Sequence, residues 1–230
     1  MLTAATATAQ MSVGLRAGYG VFGAHFEPPA LTGIQEPLYE PNFGIVAIFN
    51  DKSNAGIQVE VNYAVKGWRD WDREADTIEY KRELTYIEIP LMTHFEIGRG
   101  WFRIYGVVGP YIAFKQNETV TSRNFDAYIA SSPYDLYNQK VRKIDLGNKA
   151  GLGFRINIGQ RFSIFADARY DLQVAGGQNI FKKQPNGIQA SRLSEIGGSV
   201  GLVFNILPQR TEVVKEYYVP KEGMNDGLDY

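Results

Sequence analysis

The chain has 230 residues, a formal net charge of -1, no cysteine, 24 glycines and 13% aromatic residues. The near-zero charge argues against a nucleic-acid partner, and the lack of cysteine excludes disulfide frameworks and cysteine-bound metals. The sequence also has no run of about 18 apolar residues, which is the length that a transmembrane helix needs.

The first segment, residues 1–10, is composed mainly of small, apolar and hydroxylated residues. Within it, Ala7-Thr8-Ala9 matches the small-residue pattern at which signal peptides are cleaved, directly before Gln10. We interpret this segment as the residual tail of a signal peptide, and a disordered leader is the alternative. The folded domain is therefore expected to span residues 11–207.

Alternation of apolar and polar residues, bounded by turn residues, predicts eight β-strands in this domain. The expected bounds are 11–26, 42–50, 54–67, 82–97, 101–115, 142–158, 161–175 and 193–206. The hairpin at 147–172 has the clearest pattern, because its even positions are almost all apolar and its odd positions are mostly small or polar on both sides of the turn at 159–161. Such long strands, with one oily and one charged face, are typical of transmembrane barrels.

The predicted connections alternate between short and long. The short turns are 50–54, 98–100 and 159–161, and the long polar segments are 27–41, 68–81, 116–141 and 176–192. Short turns at one rim and long loops at the other are the pattern of outer-membrane barrels. The sequence thus predicts an all-β fold, an eight-stranded antiparallel up-and-down transmembrane β-barrel.

The polar faces of these strands predict a charged lumen. Six basic and six acidic residues would point into it: Arg16, Lys66, Arg103, Lys149, Arg155, Arg169, Glu60, Glu88, Glu96, Asp167, Asp171 and Glu195. Isolated charges at that depth cost several kcal/mol each, so these residues are expected to pair. Eight strands enclose a space that side chains just fill, and an ion channel would favour one sign of charge. We therefore expect a packed lumen.

The sequence offers weak signals for catalysis or metal binding. His94 with Glu88 and Glu96 could form an acid–base set, but alternation explains all three as lumen residues. The G-x-G-x-x-G match at 18–23 and the G-x-S-x-G match at 197–201 lie inside strands with no helix after them. His25 and His94, the only histidines, have no partner at metal-ligand spacing. We expect no catalytic residue, no metal and no cofactor.

Aromatic residues in the long loops and in the charged tail at 208–230 are candidate partner contacts. They are Trp68, Trp71, Tyr128, Tyr134, Tyr137, Tyr217 and Tyr218. For the loops the alternative is a girdle at the membrane edge followed by solvated chain. For the tail, which would be periplasmic, the alternative to a docking peptide is simple disorder.

Three blocks of sequence carry a family resemblance: VEVNYAVKGW at 59–68, LTYIEIPLMTHFEIG at 84–98 and YGVVGPYIAF at 105–114. They resemble the PorT-like outer-membrane β-barrel family of Bacteroidota, in which E-x-x-Y-x-x-K-G, Y-x-E-I-P-L and G-P-Y strands are typical. The matching residues are Glu60, Tyr63, Lys66, Gly67, Tyr86, Glu88, Ile89, Pro90, Leu91, Gly109, Pro110 and Tyr111. The resemblance extends more loosely over 11–207 and does not include the tail.

The resemblance implies an eight-stranded barrel in the bacterial outer membrane, and the family's named member is tied to type IX secretion. The family has no accepted catalytic residues. We expect a non-enzymatic structural or accessory subunit of an envelope complex, in contact with outer-membrane lipid and other envelope proteins. Its long loops would be extracellular and both termini periplasmic. The alternatives are a surface-binding or adhesion barrel acting through its loops, a small pore and a barrel enzyme.

Overall fold

The computed structural model of the chain describes residues 10–28, 34–51, 54–71, 79–123, 139–173, 179–185 and 187–207. Nine β-strands account for the regular elements of these residues. They are β1 (Gln10–Glu27), β2 (Ile34–Glu36), β3 (Leu38–Asn50), β4 (Ala55–Trp71), β5 (Glu79–Arg99), β6 (Phe102–Arg123), β7 (Ile144–Ile158), β8 (Phe162–Gln173) and β9 (Ala190–Leu207). The predicted signal-peptide tail, apart from Gln10, and the tail at 208–230 lie outside the described residues.

The strands form one closed antiparallel sheet. From β3 to β9 each strand pairs with the next along the chain, and β1 pairs with both β3 and β9. The short β2 pairs with β4 beyond the point where the β3–β4 ladder stops at Asn42, so it extends β3 and adds no position to the ring. Pro37 and Pro41, which lack the N–H that a ladder needs, flank this break. The ring has eight positions, and the predicted antiparallel barrel is confirmed.

Three connections are short and lie at one end of the ring. Each contains a residue in the left-handed region: Asn54 (φ 61°), Gly100 (φ 67°) and Gly159 (φ 66°). At Gly100 and Gly159 the lack of a Cβ makes this conformation free of steric clash, which lets these two hairpins close tightly. β1 begins and β9 ends at the same end, here called the short-turn end; the opposite end is the long-connection end.

Several strands extend further towards the long-connection end than predicted, whereas β7 and β8 each stop two residues short there. β4 reaches Trp71, β5 begins at Glu79 and β6 reaches Arg123, so parts of the predicted loops at 68–81 and 116–141 are strands. Residues 79–85 of β5 pair with residues 65–71 of β4 on one side and with residues 117–123 of β6 on the other, and we call the β5–β6 part of this extension the ribbon. The polar sequences of residues 79–81 and 117–123 predict loops, whereas backbone pairing with neighbouring strands keeps these residues extended.

Outward-facing side chains form an apolar band around the barrel. Its exposed residues include Leu15, Ile45, Val61, Leu91, Val108, Leu152, Ile164 and Val200. Exposed aromatic residues flank the band, with Phe49, Phe95, Trp101, Phe102, Phe162 and Phe204 towards the short-turn end and Tyr19, Tyr39, Phe43, Phe114 and Tyr170 towards the other. An apolar band between two aromatic girdles suits contact with a bilayer. The described residues contain no helix that is long and apolar enough to cross a membrane.

The outer face becomes charged near the long-connection end. Lys81 on β5 lies 3.2 Å from Glu40 and 2.7 Å from Glu83, and Arg69 on β4 lies 3.5 Å from Glu36. Charged side chains on the lipid face of a barrel are destabilising, so the apolar band ends below this level. The ribbon and the last residues of β4 therefore extend beyond the part of the barrel that contacts lipid.

Candidate functional site: a filled lumen under a capped mouth

Glu60 lies at the centre of the lumen. Its Oε2 accepts hydrogen bonds from Arg16 Nη1 (2.5 Å), Arg169 Nη1 (2.9 Å) and Asn62 Nδ2 (2.8 Å), and its Oε1 accepts one from Gln58 Nε2 (2.5 Å). Arg16, Glu60 and Arg169 come from β1, β4 and β8 and are all buried. Two guanidinium groups and two amides therefore offset the cost of burying one carboxylate.

Asp167 holds the second carboxylate of this central layer. It accepts hydrogen bonds from Arg169 Nη2 (2.7 Å), the Tyr105 hydroxyl (2.9 Å) and the Ser199 hydroxyl (2.6 Å). Arg16 Nη2 in turn donates to Ser199 Oγ over 2.8 Å. The central layer thus joins β1, β4, β6, β8 and β9 by charge-assisted hydrogen bonds that cross the lumen.

Two lysines and three carboxylates form the next layer towards the long-connection end. Lys66 Nζ lies 2.6 Å from Glu88 Oε2, and Lys149 Nζ lies 2.9 Å from Asp171 Oδ2 and also contacts Glu88. Both ammonium groups lie over the ring of Tyr111, at 4.5 Å and 5.7 Å from its centroid. The face of an aromatic ring attracts cations, so Tyr111 serves as the wall of this cluster.

Tyr111 fits against the barrel wall because the residue opposite it is glycine. A Cβ at Gly147 would lie 2.5 Å from Tyr111 Cε1, which is closer than non-bonded carbon atoms approach. The Tyr111 hydroxyl donates to Asp145 Oδ2 over 3.2 Å. Tyr111 and Gly147 are directly paired on neighbouring strands. Tyr111 supplies the ring, and Gly147 leaves the space that the ring occupies.

The same layer brings three carboxylates together. One oxygen each from Glu88, Asp171 and Glu195 lies within 4.8 Å of the other two, and all three residues are buried. Carboxylate oxygens can bind hard cations such as Ca²⁺ or Mg²⁺. Here the ammonium groups of Lys66 and Lys149 already provide the cationic partners, so the cluster gives no independent reason to expect a metal ion.

Glu96 organises the layer nearest the short-turn end. It accepts a hydrogen bond from Asn50 Nδ2 (3.0 Å) and lies 3.3 Å from Arg103 Nη1 and 3.4 Å from Arg155 Nη1. Arg155 and Glu96 are buried, and Arg103 is partly exposed at the edge. Each of the three lumen layers therefore combines carboxylates with basic side chains.

The structure places the twelve charged residues predicted for the lumen on its inner face, and eleven of them are buried, with Arg103 partly exposed. It does not assemble the acid–base set considered above, because His94 Nδ1 lies 2.7 Å from Gln58 Oε1 and the His94 ring stacks on Tyr105 at 4.9 Å between centroids. Glu88 and Glu96 belong to different layers, each paired with basic residues. His94, Glu88 and Glu96 can therefore brace the barrel wall, but they do not lie together as an acid–base set.

A hydrophobic cap covers the lumen at the long-connection end. Trp68 on β4 packs edge-on against Phe26 (5.9 Å) and Phe181 (6.1 Å), and the Arg82 guanidinium lies 5.6 Å from the Trp68 ring and 5.7 Å from the Phe181 ring. These four side chains are almost completely buried. The cap contains further buried residues from both walls and from the long connections: Ala24, Tyr80, Leu84, Tyr86, Tyr111, Ala113, Val141, Ile180, Ile188 and Leu193.

Two connections fold inwards to complete the cap. Val141 and Phe181 form an isolated antiparallel bridge, with Arg142 N donating to Ile180 O (2.9 Å) and Lys182 N donating to Lys140 O (2.9 Å). Since Val141 and Phe181 are both buried, this bridge directs apolar side chains into the mouth of the barrel. The segment 179–185 thus closes over the charged layers.

Titratable groups around the cap, beyond the apolar band, have shifted pKa values. Burial raises the pKa of Asp70 to about 7, against a smaller opposing effect of Trp68, and burial raises the pKa of Tyr80 to about 12. For Glu118, burial acts to raise the pKa, but the cations of Lys115 and Arg82 outweigh it and lower that pKa. Asp70 is therefore the acidic group here whose burial is poorly compensated.

Over residues 6–173 the sequence matches the family described as "Outer membrane protein beta-barrel domain". The chain belongs to this family. It is accordingly a barrel of the bacterial outer membrane, in contact with its lipid, and such barrels are generally non-enzymatic. No curated protein sequence matches the chain.

Solved structures similar to this outer-membrane barrel show low sequence identity. Ail, the attachment invasion locus protein of Yersinia pestis, is 12% identical, with 85% of this chain and 99% of that chain covered and a TM-score of 0.40. OprG of Pseudomonas aeruginosa is 10% identical, with 85% and 95% covered and a TM-score of 0.48. Neisserial surface protein A is 11% identical, with 84% and 97% covered and a TM-score of 0.41. Likenesses at these levels carry no functional argument.

The predicted partner contacts need one correction. Trp68 belongs to β4 and is 1% exposed in the cap, so it is not available to a partner. Trp71 is the last residue of β4 and not part of a loop. The other predicted contacts lie outside the described residues: Tyr128, Tyr134, Tyr137, Tyr217 and Tyr218.

The cap is the feature that the sequence analysis missed. Tyr80, Arg82 and Leu84 continue the inward phase of Tyr86 along β5. Arg82 and Leu84 already lie in the predicted strand at 82–97, and extending that strand by one pair of residues includes Tyr80. Phe181 has no such signal, because the polar run KKQPNG follows it directly. It reaches the mouth of the barrel through the bridge to Val141.

Proposed function

We propose that the protein is a closed, non-conducting and non-enzymatic outer-membrane barrel that acts as a structural or accessory subunit of an envelope complex. The observation that carries this proposal is the filled lumen: charged side chains from opposite walls pair across it, and an aromatic cap covers it. A rigid plug of this kind suits a membrane scaffold and not a transport path. The resemblance to PorT-like proteins makes a secretion apparatus the first complex to examine.

Conductance tests the closed lumen. The purified barrel in a planar bilayer should give no steady current in salt solution. The variant Glu60→Ala/Arg169→Ala removes one ion pair that spans the lumen without changing the net charge, and it should raise the frequency of current events. Steady channels in the unmodified protein would contradict a closed barrel.

Crosslinking tests the accessory role. The full chain, tagged and expressed in its native cells, should be recovered with specific envelope proteins after mild crosslinking. A variant with the same barrel but lacking residues 208–230 tests whether the tail makes these contacts. Recovery of a lone monomer under every crosslinking condition would overturn the proposal of a complex.

We also propose that the long-connection end faces the exterior and the short-turn end the periplasm. The pattern of short and long connections supports this, since outer-membrane barrels keep their longer loops outside. Because the chain has no cysteine, a single introduced thiol reports its own location. A membrane-impermeant maleimide should label Thr121→Cys in the ribbon on intact cells and should label Gln160→Cys only after the membrane is opened. The reverse pattern would invert the orientation.

Surface binding is a second candidate function, favoured by the ribbon. Residues 119–123 of β6 project beyond the barrel with both faces exposed, and Val120 presents an apolar side chain that is 49% exposed. If the ribbon is an adhesive surface, Val120→Asp should abolish cell-surface binding while the barrel stays folded. Gln189→Glu, at another exposed position of the same end, is the matched control. Unchanged binding by Val120→Asp would remove the support for this candidate.

A further inference from the structure

A groove on the outside of the barrel combines an apolar floor with a basic rim. It lies where β6 and β7 approach the long-connection end, has a volume of about 530 Å³, and is lined by Ile112, Ile144, Leu146, Arg142, Lys143 and Lys182. Ile144 and Leu146 belong to the exposed apolar surface of β7. The floor therefore continues the lipid-facing band, and the basic residues stand at its upper edge.

Backbone pairing at this edge places like charges next to each other. The bridge between Val141 and Phe181 sets Lys140 directly opposite Lys182, with Lys182 N donating to Lys140 O, and both side chains are exposed. Like charges directly opposite one another in antiparallel pairs are destabilising. An anion bound between the two ammonium groups would be attracted to both and would offset their repulsion.

Arg142 is held at the rim by a hydrogen bond, and among the described residues no carboxylate lines the groove. Arg142 Nε donates to Phe181 O over 3.2 Å, which holds the guanidinium at the rim. Asp145, the acidic residue closest to it in sequence on β7, is 2% exposed and accepts a hydrogen bond from Tyr111 inside the barrel. The groove thus presents Arg142, Lys143 and Lys182 to the outside with no acidic residue among its lining residues.

We propose that this groove binds a phosphorylated lipid of the surrounding leaflet, with the phosphate at the three basic residues and an acyl chain along the apolar floor. The positive charge of the rim attracts a phosphate, and the apolar floor can contact the acyl chain below it. The rim lies at the edge of the apolar band, where lipid headgroups are found. This inference rests on the proposed orientation, because the leaflet at the long-connection end is then the outer one. The ligand is accordingly a phosphorylated glycolipid of the lipid A type.

Native mass spectrometry of the full chain in a neutral detergent tests the proposal, with bisphosphorylated lipid A as the probe. The unmodified protein should retain one lipid, and the variant Lys143→Gln/Lys182→Gln should bind at least tenfold more weakly. The matched control is Arg99→Gln/Arg161→Gln, which removes two exposed basic residues at the short-turn end and should bind as the unmodified protein does. Equal affinity of the groove variant, or an equal loss in both variants, would overturn the proposal.

Two further probes separate the possible sources of the phosphate. Lipid A stripped of its phosphates should bind at least tenfold more weakly; equal binding would show that the apolar floor alone selects the ligand and would overturn the proposal. Inorganic phosphate at millimolar concentration should leave the bound lipid in place, whereas its displacement would indicate a site for free anions. These measurements use purified protein and do not depend on orientation, so their failure is distinct from a failure of the labelling experiment.

The stability of the lipid-free barrel gives an independent readout. Lipid A should raise the unfolding temperature of the unmodified protein and of Arg99→Gln/Arg161→Gln, and should leave that of Lys143→Gln/Lys182→Gln unchanged. Because ligands stabilise the state that they bind, the effect should grow with lipid concentration. The same rise in all three proteins would contradict a site at this groove.

Discussion

Glu60 and Arg169 join opposite walls of the barrel. Glu60 Oε2 and Arg169 Nη1 are 2.9 Å apart, although 109 residues separate them in the chain. Their strands, β4 and β8, stand four positions apart in the ring of eight. A hydrogen bond of this kind spans the full width of the lumen, so it closes the central path and fixes the distance between the two walls.

Replacement of Glu60 by glutamine should strongly destabilise the barrel. The substitution removes one of the two carboxylates that contact both Arg16 and Arg169, Asp167 being the other. Removing one partner of a buried ion pair typically costs about 3–5 kcal/mol. The free energy of unfolding, measured by urea titration in lipid vesicles, should fall by that amount. Glu83→Gln, which removes a partly exposed partner of Lys81, should change it by less than about 1 kcal/mol. Similar losses in the two variants would mean that the buried network contributes no more than a surface pair.

Replacement of Gly147 by alanine should displace the ring of Tyr111. The added Cβ would lie 2.5 Å from Tyr111 Cε1, and overpacking of this kind typically costs about 1–3 kcal/mol. The urea midpoint should therefore decrease, and adding Tyr111→Leu to Gly147→Ala should restore part of it. Gly23→Ala is the control, since its nearest contact is Ser194 Oγ at 3.9 Å. An unchanged midpoint for Gly147→Ala would show that the ring moves freely.

Alternation predicts much of this architecture because the side-chain period of a strand is two. Once a strand is recognised, the face of each residue follows, which is why Glu60 and Arg169 could both be assigned to the lumen. Their contact could not be predicted, because it depends on how the strands are staggered around the ring. Sequence alone gives Arg169 no preference for Glu60 over Glu88.

The contact between Val141 and Phe181 in the cap could not be predicted for a different reason. Phe181 and Val141 lie in two polar connections that are remote in sequence, and one isolated bridge brings them together. No periodic pattern marks such a contact. The charged neighbours of Trp68 predict a loop, yet pairing of β4 with β5 continues to Trp71. Trp68 therefore stays on a strand, and its indole points into the mouth of the barrel.

Replacement of Trp68 by alanine should loosen the segment that carries Phe181. Trp68 packs against Phe26 and Phe181, and deleting a buried tryptophan side chain costs about 3–5 kcal/mol. Limited proteolysis with trypsin should then cut after Lys182 or Lys183 at least tenfold faster, while the barrel keeps its heat-modifiable mobility on gels. The control Tyr170→Ala removes an exposed aromatic residue of the outer surface and should leave the cleavage rate unchanged. Equal rates in Trp68→Ala and unmodified protein would show that the segment stays in place without the cap.

Replacement of Asp70 by asparagine should remove a dependence of stability on pH. Burial raises the pKa of Asp70 in the folded protein to about 7, whereas an aspartate in an unfolded chain has a pKa of about 3.9. The folded state therefore holds the proton more tightly, so this contribution to stability is complete below about pH 4 and is lost as pH rises through about 7. Asp70→Asn should unfold like the unmodified protein at pH 4 and be more stable by about 2–4 kcal/mol at pH 8.

Unfolding temperatures between pH 4 and pH 8 provide the measurement for Asp70→Asn. The control is Asp51→Asn, which replaces an exposed carboxylate at the short-turn end and should follow the unmodified protein. A difference between Asp70→Asn and unmodified protein that is the same at pH 4 and pH 8 would show that the carboxyl of Asp70 does not titrate in this range.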